Sequence, residues 1–184
     1  MDEMIANAFA ALAGPRQPLL GAPVGTGIFA IHGDTDSWVH LGLGRAPANA
    51  TLLVGRTEDL EPLRSGRTGQ SHARRTFAAL LRDHLELRGI PRNQTKPERL
   101  ADYTLSDEHD ALLTGWMTEH LTATVWTPPE PAVLADIEVA VLKRWSPPLN
   151  MRDARSTVGA KVTAARKAMA GDARTWARER GHKL

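Results

Sequence analysis

A single acid in an otherwise apolar stretch is the first residue whose type and position indicate chemistry. Glu138 directly follows Ile137 in segment 133–145, where apolar side chains recur at helical spacing. Asp136 is the nearest competing acid. A carboxylate at the border of an apolar helix face is either a functional group or a solvated glutamate at the helix edge. The pattern alone leaves both interpretations open.

The strong local motifs of the common enzyme classes are missing from the chain. It has no Walker loop, no GxGxxG after a strand, no HExxH and no GxSxG, and without cysteine it has no thiol nucleophile. The seven histidines are scattered, and no two stand four residues apart as helical metal ligands usually do. Most enzyme classes, and a histidine metal site, therefore lose support.

Composition indicates a soluble domain with an appendage. The chain has 184 residues, of which 42% are hydrophobic and 24% charged, and it contains no cysteine. A disulfide scaffold, an iron–sulfur cluster and a zinc finger are excluded because each requires thiols. No apolar run reaches the roughly 18 residues of a membrane span, and acids stand where a signal peptide needs a positive start. We expect a cytoplasmic protein without membrane contact.

Charge is distributed unevenly along the chain. Residues 151–184 hold nine Lys/Arg against three acids, whereas residues 1–150 hold 14 basic against 18 acidic residues. A basic segment on an acidic body predicts a local contact with a polyanion or, equally, with the acidic surface of the protein itself.

Hydrophobic periodicity and turn residues place the main elements. A short helix ends before Gly14-Pro15. A second helix begins at the N-cap Ser71 and ends before Gly89, and a third begins at Ser106. Strands are expected at 27–32, 38–41, 51–54 and 122–126, a further helix at 131–145, and one or two basic helices in the tail.

The order of these pieces resembles the GIY-YIG nuclease family. Gly27-Ile28-Phe29 stands where the family has its Gly-Ile-Tyr strand, and Leu53-Val54-Gly55 stands where it has Tyr-Ile-Gly. Glu138 is followed by Pro147-Pro148-Leu149-Asn150, similar to the glutamate and the Pro-Leu-Asn element that close such a domain. The resemblance covers roughly residues 24–150.

This resemblance implies hydrolysis of DNA phosphodiester bonds with one divalent metal ion, Mg²⁺ or Mn²⁺. Glu138 would hold the metal, and an arginine would pair with the phosphate oxygens. That arginine is expected to be Arg64, with Arg56 as the nearer substitute. Asn150 would support the site by hydrogen bonding.

Both tyrosine positions of the family have lost their hydroxyl group. Phe29 occupies the first and Leu53 the second, so neither can move a proton. His32 and His40 are conceivable replacements for the base, with ordinary structural histidines as the alternative. Catalysis either uses another base or has been lost.

DNA contacts are expected from Arg56, Arg67, Arg74 and Arg75 together with the basic tail, because such side chains neutralise phosphates whatever the base sequence. The alternative for the Arg74-Arg75 pair is an ordinary solvated helix face.

The expected fold is α+β, with a small three-stranded, mostly antiparallel sheet flanked by helices and a basic C-terminal helical tail. The expected divisions are 1–23 (N-terminal helix and linker), 24–150 (GIY-YIG-like domain) and 151–184 (basic tail). The function predicted first is a metal-dependent DNA endonuclease. The alternatives are a degenerate module that binds DNA or a protein partner, and a pocket adapted to small-molecule chemistry.

Overall fold

Helices flank one antiparallel sheet in the computed structural model, which describes residues 2–22, 25–129, 134–150 and 156–182. The strands are β1 Gln17–Pro18, β2 Ile28–Gly33, β3 Thr51–Arg56 and β4 Leu121–Trp126. The helices are α1 Asp2–Leu12, α2 Thr35–His40, α3 Leu60–Arg64, α4 His72–Leu80, α5 Asp107–His120, α6 Leu134–Trp145 and α7 Thr157–Glu179. The α+β class is confirmed.

The sheet has four strands within the described residues, in the order β1-β4-β2-β3, so the prediction of three strands is wrong. The additional strand is β1, whose Gln17 and Pro18 pair with Ala123 and Thr122 of β4. Two residues are too few to show an alternating pattern in a sequence. A proline is also tolerated only at a sheet edge, which is where β1 lies.

Strand β2 lies at the centre of the molecule, and all six of its residues are buried. Alternate side chains of a strand point to opposite faces of the sheet. Ile28 and Ala30 pack on the side of α1 and α6. Phe29 and Ile31 pack on the opposite side, in the core that includes side chains of α4, α5 and α7. The sheet is therefore covered on both faces.

Two motif glycines are required by close approaches around β2. A Cβ atom on Gly27 would collide with the backbone carbonyl oxygen of Trp126 on the neighbouring strand. A Cβ atom on Gly55 would lie 3.0 Å from the ring of Phe29, directly across the strand pair. Glycine at position 55 thus makes room for the aromatic ring at position 29.

The N-caps predicted for α4 and α5 are confirmed, because Ser71 accepts from the Arg74 amide and Ser106 from the His109 amide. The strand predicted at 38–41 is wrong. There the chain forms α2, which begins where Asp34 accepts a hydrogen bond from the Ser37 amide at 2.7 Å.

Helix α4 ends at Leu80, earlier than predicted, and turns carry the chain on to Gly89. The predicted helix at 131–145 is found from Leu134 onward, while 131–133 lie outside the described residues.

Helix α7 packs against the sheet-covering layer rather than extending away from it. Its Met169 and Ala173 belong to the main core. Arg82, which follows α4, donates from two nitrogens to the two carboxylate oxygens of Asp172, both at 2.9 Å. No helix in the described segments is long and apolar enough to cross a bilayer.

Burial of His32 predicts a loss of stability in acid. Its ring is 2% exposed, and its Nε2 lies 2.9 Å from the Thr124 hydroxyl. Burial lowers the pKa of His32 from 6.5 to about 4. The unfolded chain therefore takes up this proton first, so the contribution of neutral His32 is present above pH 6.5 and is lost as the pH falls toward 4.

Over that interval we expect the free energy of unfolding to fall by roughly 3 kcal/mol on account of His32. Urea unfolding at a series of pH values measures how steeply the free energy of unfolding changes with pH. We expect His32→Gln to make this slope shallower, whereas His109→Gln, at a more exposed histidine, should leave the slope unchanged. An unchanged slope in His32→Gln would contradict this assignment.

Asn150 fastens the segment after α6 to β3. Its side-chain nitrogen donates to the Val54 carbonyl and its side-chain oxygen accepts from the Val54 amide, both at 2.7 Å. Because Val54 is 1% exposed, Asn150→Ala leaves two buried backbone groups unpaired. We expect the free energy of unfolding, measured by urea titration, to fall by about 2 kcal/mol. Asn7→Ala on the exposed side of α1 is the control, and an equal loss there would refute the specific role of Asn150.

Candidate functional site

A cavity of about 550 Å³ lies between β3, the beginning of α4, α6 and α7. Its floor includes Phe29, Leu53, Val54 and Gly55 from the two motif strands. The polar side chains around it are Asp59, Gln70, Ser71, His72, Thr76, Glu138, Asn150, Thr163 and Arg166. Four segments distant in sequence therefore share one polar cavity with an apolar floor.

Glu138 faces this cavity from α6 and is paired with Arg56. The Arg56 Nε donates to Oε2 of Glu138 at 2.9 Å, and the two side chains are 42% and 23% exposed. The carboxylate raises the pKa of Arg56 by this hydrogen bond and by its charge. Within the described part of the chain Oε1 of Glu138 makes no hydrogen bond, so this oxygen can take a further ligand.

Asp59 is a second carboxylate on the cavity, and the sequence interpretation missed it. It follows β3 in a single turn of 3-10 helix, Thr57–Asp59. Burial raises the pKa of Asp59, and the charges of Glu58 and Glu138 raise it further. Its position four residues after the glycine of the second motif is the only signal that could have identified it.

Phe29 and Leu53 both contribute to the cavity floor without a hydroxyl group. The Phe29 side chain is 1% exposed and belongs to the main core. Both positions are thus occupied by apolar side chains at the cavity floor.

Arg64, expected to bind phosphate, does not reach the cavity. Its Nη1 donates to the carbonyl oxygen of Ala22 at 2.7 Å, and its Nε donates to Glu61 at 2.6 Å. Arg67 is exposed and also lies outside the cavity lining. Of the two arginines considered for the phosphate, Arg56 is the one at the site.

Arg74, expected to contact DNA, has a fully buried side chain and cannot do so. Its Nη2 donates to Asp110 at 3.2 Å and to the Thr114 hydroxyl at 2.9 Å, while its Nη1 donates to the Leu63 carbonyl at 3.0 Å. The expectation fails because α4 is covered on this face by α5. Arg75 is partly exposed and donates to the Gly69 carbonyl at 3.1 Å.

The two histidines considered as replacement bases lie elsewhere in the described structure. His32 is buried against β4, as described above. His40 stacks on His84 with ring centres 3.9 Å apart and accepts from the Trp116 indole at 3.2 Å. Neither borders the cavity, so neither is placed to activate water there.

His72 and Arg166 are cavity residues that the sequence interpretation did not assign. Arg166 Nη1 donates to Nε2 of His72 at 2.8 Å, and Arg166 Nη2 donates to the His72 carbonyl at 3.0 Å. Because a guanidinium can only donate, Nε2 of His72 carries no proton in this arrangement. The two residues are 94 positions apart in the sequence, which explains why no local pattern signalled the pair.

The donor set of the cavity fits a hard divalent cation. The described residues contain no group of three or more His, Cys, Asp or Glu side chains that could hold a metal ion. Mg²⁺, however, is commonly bound by one or two carboxylates, with water and substrate phosphate completing its shell. Glu138 and Asp59 provide two such carboxylates on one cavity.

Comparison with known proteins covers the second motif strand, β3, and the late glutamate Glu138, while β2 precedes the matched residues. The family model described as the GIY-YIG catalytic domain matches residues 52–168, from β3 into α7. No curated protein and no solved structure matches the chain significantly. The family is nuclease-type and generally dependent on a divalent metal ion. With more than half of its length matched, the chain belongs to the GIY-YIG catalytic-domain family.

Proposed function

We propose that the chain is a metal-dependent DNA endonuclease that hydrolyses a phosphodiester bond in this cavity. One observation carries the proposal: Glu138 and Asp59 face a single cavity whose floor includes Leu53, and all three lie within the segment that the GIY-YIG catalytic-domain model matches. Phosphodiester hydrolysis requires a positive group that stabilises the phosphate charge and a base that deprotonates water. One carboxylate can bind a metal ion for the first task, and another can act as the base.

In this proposal Glu138 holds the metal ion through Oε1. Arg56 fixes the orientation of the carboxylate by its bond to Oε2 and remains partly exposed, in reach of an incoming phosphate. A bound Mg²⁺ or Mn²⁺ would supply Lewis-acid stabilisation of the charge that develops on the phosphate. Asn150 keeps β3 in place beneath the site.

Asp59 is the proposed base, in place of the tyrosine hydroxyls. A carboxylate with a raised pKa accepts a proton near neutral pH better than an unperturbed one. Asp59 has that property because of burial and neighbouring acids, and it borders the same cavity as Glu138. The buried His32 and the remote His40 have no comparable access.

DNA is the proposed substrate because Arg56 pairs with Glu138 at the cavity and further exposed cations lie on α7 and after α3. Arg56 and Arg67 are accessible near β3 and α3, and α7 exposes Lys167, Arg174 and Arg178. Such side chains bind phosphates independently of base sequence, so we expect affinity to fall steeply with added salt.

Nicking of supercoiled plasmid with Mg²⁺ or Mn²⁺ tests the proposal. Glu138→Gln removes the charge of the metal-binding carboxylate and should slow nicking at least about 100-fold. Asp59→Asn should cause a comparable loss if it is the base. The exposed Glu119→Gln on α5 is the matched control and should cleave like the wild type.

A second candidate is a binding module that has lost catalysis, which the missing hydroxyls at Phe29 and Leu53 favour. Salt-dependent DNA binding without nicking by the wild-type protein would support this module and contradict the endonuclease. Equal nicking by the wild type and Glu138→Gln would instead indicate a contaminating nuclease.

A further inference from the structure

An arginine on α7 borders the cavity without a counter-ion among the described residues. Arg166 borders the cavity, and no described carboxylate lies within 4.0 Å of its guanidinium. Its Nε is buried and has no hydrogen-bond partner among the described residues. A buried, unpaired cationic N–H is unfavourable unless an acceptor can reach it.

The surroundings of Arg166 hold this side chain in place without neutralising it. His72 accepts two of its hydrogen bonds through neutral acceptors, the ring Nε2 and the backbone carbonyl. Burial lowers the pKa of Arg166; Tyr103 opposes that shift, the positive charge of Arg75 adds to it, and Asp102 has the smallest, opposing effect. The guanidinium is thus pre-oriented and short of negative charge.

Hydroxyl groups complete this side of the cavity. Ser71, Thr76 and Thr163 all line it, and Thr76 and Thr163 donate to backbone carbonyls at 3.1 and 2.8 Å. The acidic pair Asp59 and Glu138 lies on the same cavity but makes no ion pair with Arg166. The cavity therefore has a carboxylate side suited to a cation and an arginine side suited to an anion.

We infer that Arg166 and its anchor His72 form a phosphate-binding subsite, in which α7 supplies the arginine that Arg64 does not. The fork of a guanidinium matches two phosphate oxygens, and its Nε–H and remaining Nη–H groups are the donors for them. Assigning that phosphate to DNA rests on the endonuclease proposed above. The subsite itself requires only a phosphate group.

Binding of inorganic phosphate in metal-free buffer, followed by calorimetry or amide chemical shifts, tests the subsite without cleavage. Arg166→Gln should weaken phosphate binding about tenfold or more, since a charge-assisted hydrogen bond is lost. The exposed Arg45→Gln, in the loop between α2 and β3, is the matched control and should change it less than about twofold. Equal loss in both variants, or no binding by the wild type, overturns the subsite.

Two further arms separate the outcomes. Arg166→Lys keeps the charge and is expected to retain part of the affinity, which preserves the test if Arg166→Gln fails to fold. A DNA duplex with one central methylphosphonate lacks the charge of that phosphate. The wild-type protein should bind this duplex more weakly than the unmodified duplex, whereas Arg166→Gln should bind the two equally. If free phosphate binds through Arg166 but the wild type binds both duplexes equally, the subsite holds a phosphate monoester rather than a DNA phosphodiester.

Cleavage and phosphate binding fail independently. Glu138→Gln should lose nicking and keep phosphate binding, because its carboxylate is not part of the arginine side. A wild type that binds phosphate through Arg166 but never nicks DNA would refute the endonuclease and leave the subsite standing. A nicking wild type whose phosphate binding ignores Arg166 would refute the subsite alone.

Discussion

The two hydrogen bonds between the Asn150 side chain and the Val54 backbone hold the cavity together. They attach the segment between α6 and α7 to the motif strand β3, as an additional strand would. Glu138 lies before Asn150 in the chain and Arg166 lies after it, and both side chains line the cavity. Asn150 therefore fixes the position of the two segments that carry them. The pairing of Arg82 with Asp172 then holds α7 against the layer of α4.

Electrostatics divide the cavity into two parts. Asp59 and Glu138 concentrate negative charge near the end of β3, where Arg56 pairs with Glu138. Arg166 and the nearby Arg75 concentrate positive charge near the start of α4. A metal ion and a phosphate group are complementary to this separation, because each would neutralise the part where it binds. The same separation is costly to maintain without ligands, which is typical of functional sites.

Phenylalanine and leucine at the two motif positions leave the framework of the domain intact. Phe29 keeps the ring that packs over Gly55, and Leu53 keeps its place beside the cavity. The aromatic ring at position 29 therefore serves packing. In the proposed function Asp59, which follows β3, supplies the base without any change in the sheet.

The sequence by itself determined the local features of this protein. Alternation and glycine spacing located β2, β3 and β4, the caps Ser71 and Ser106 located α4 and α5, and the motif order identified the family and singled out Glu138. These features are encoded within a few residues. The tertiary structure alone decided that Arg74 is buried against Asp110, that β1 joins the sheet and that Arg166 meets His72. Those outcomes depend on which segments pack together across the chain, and no short-range pattern carries that information.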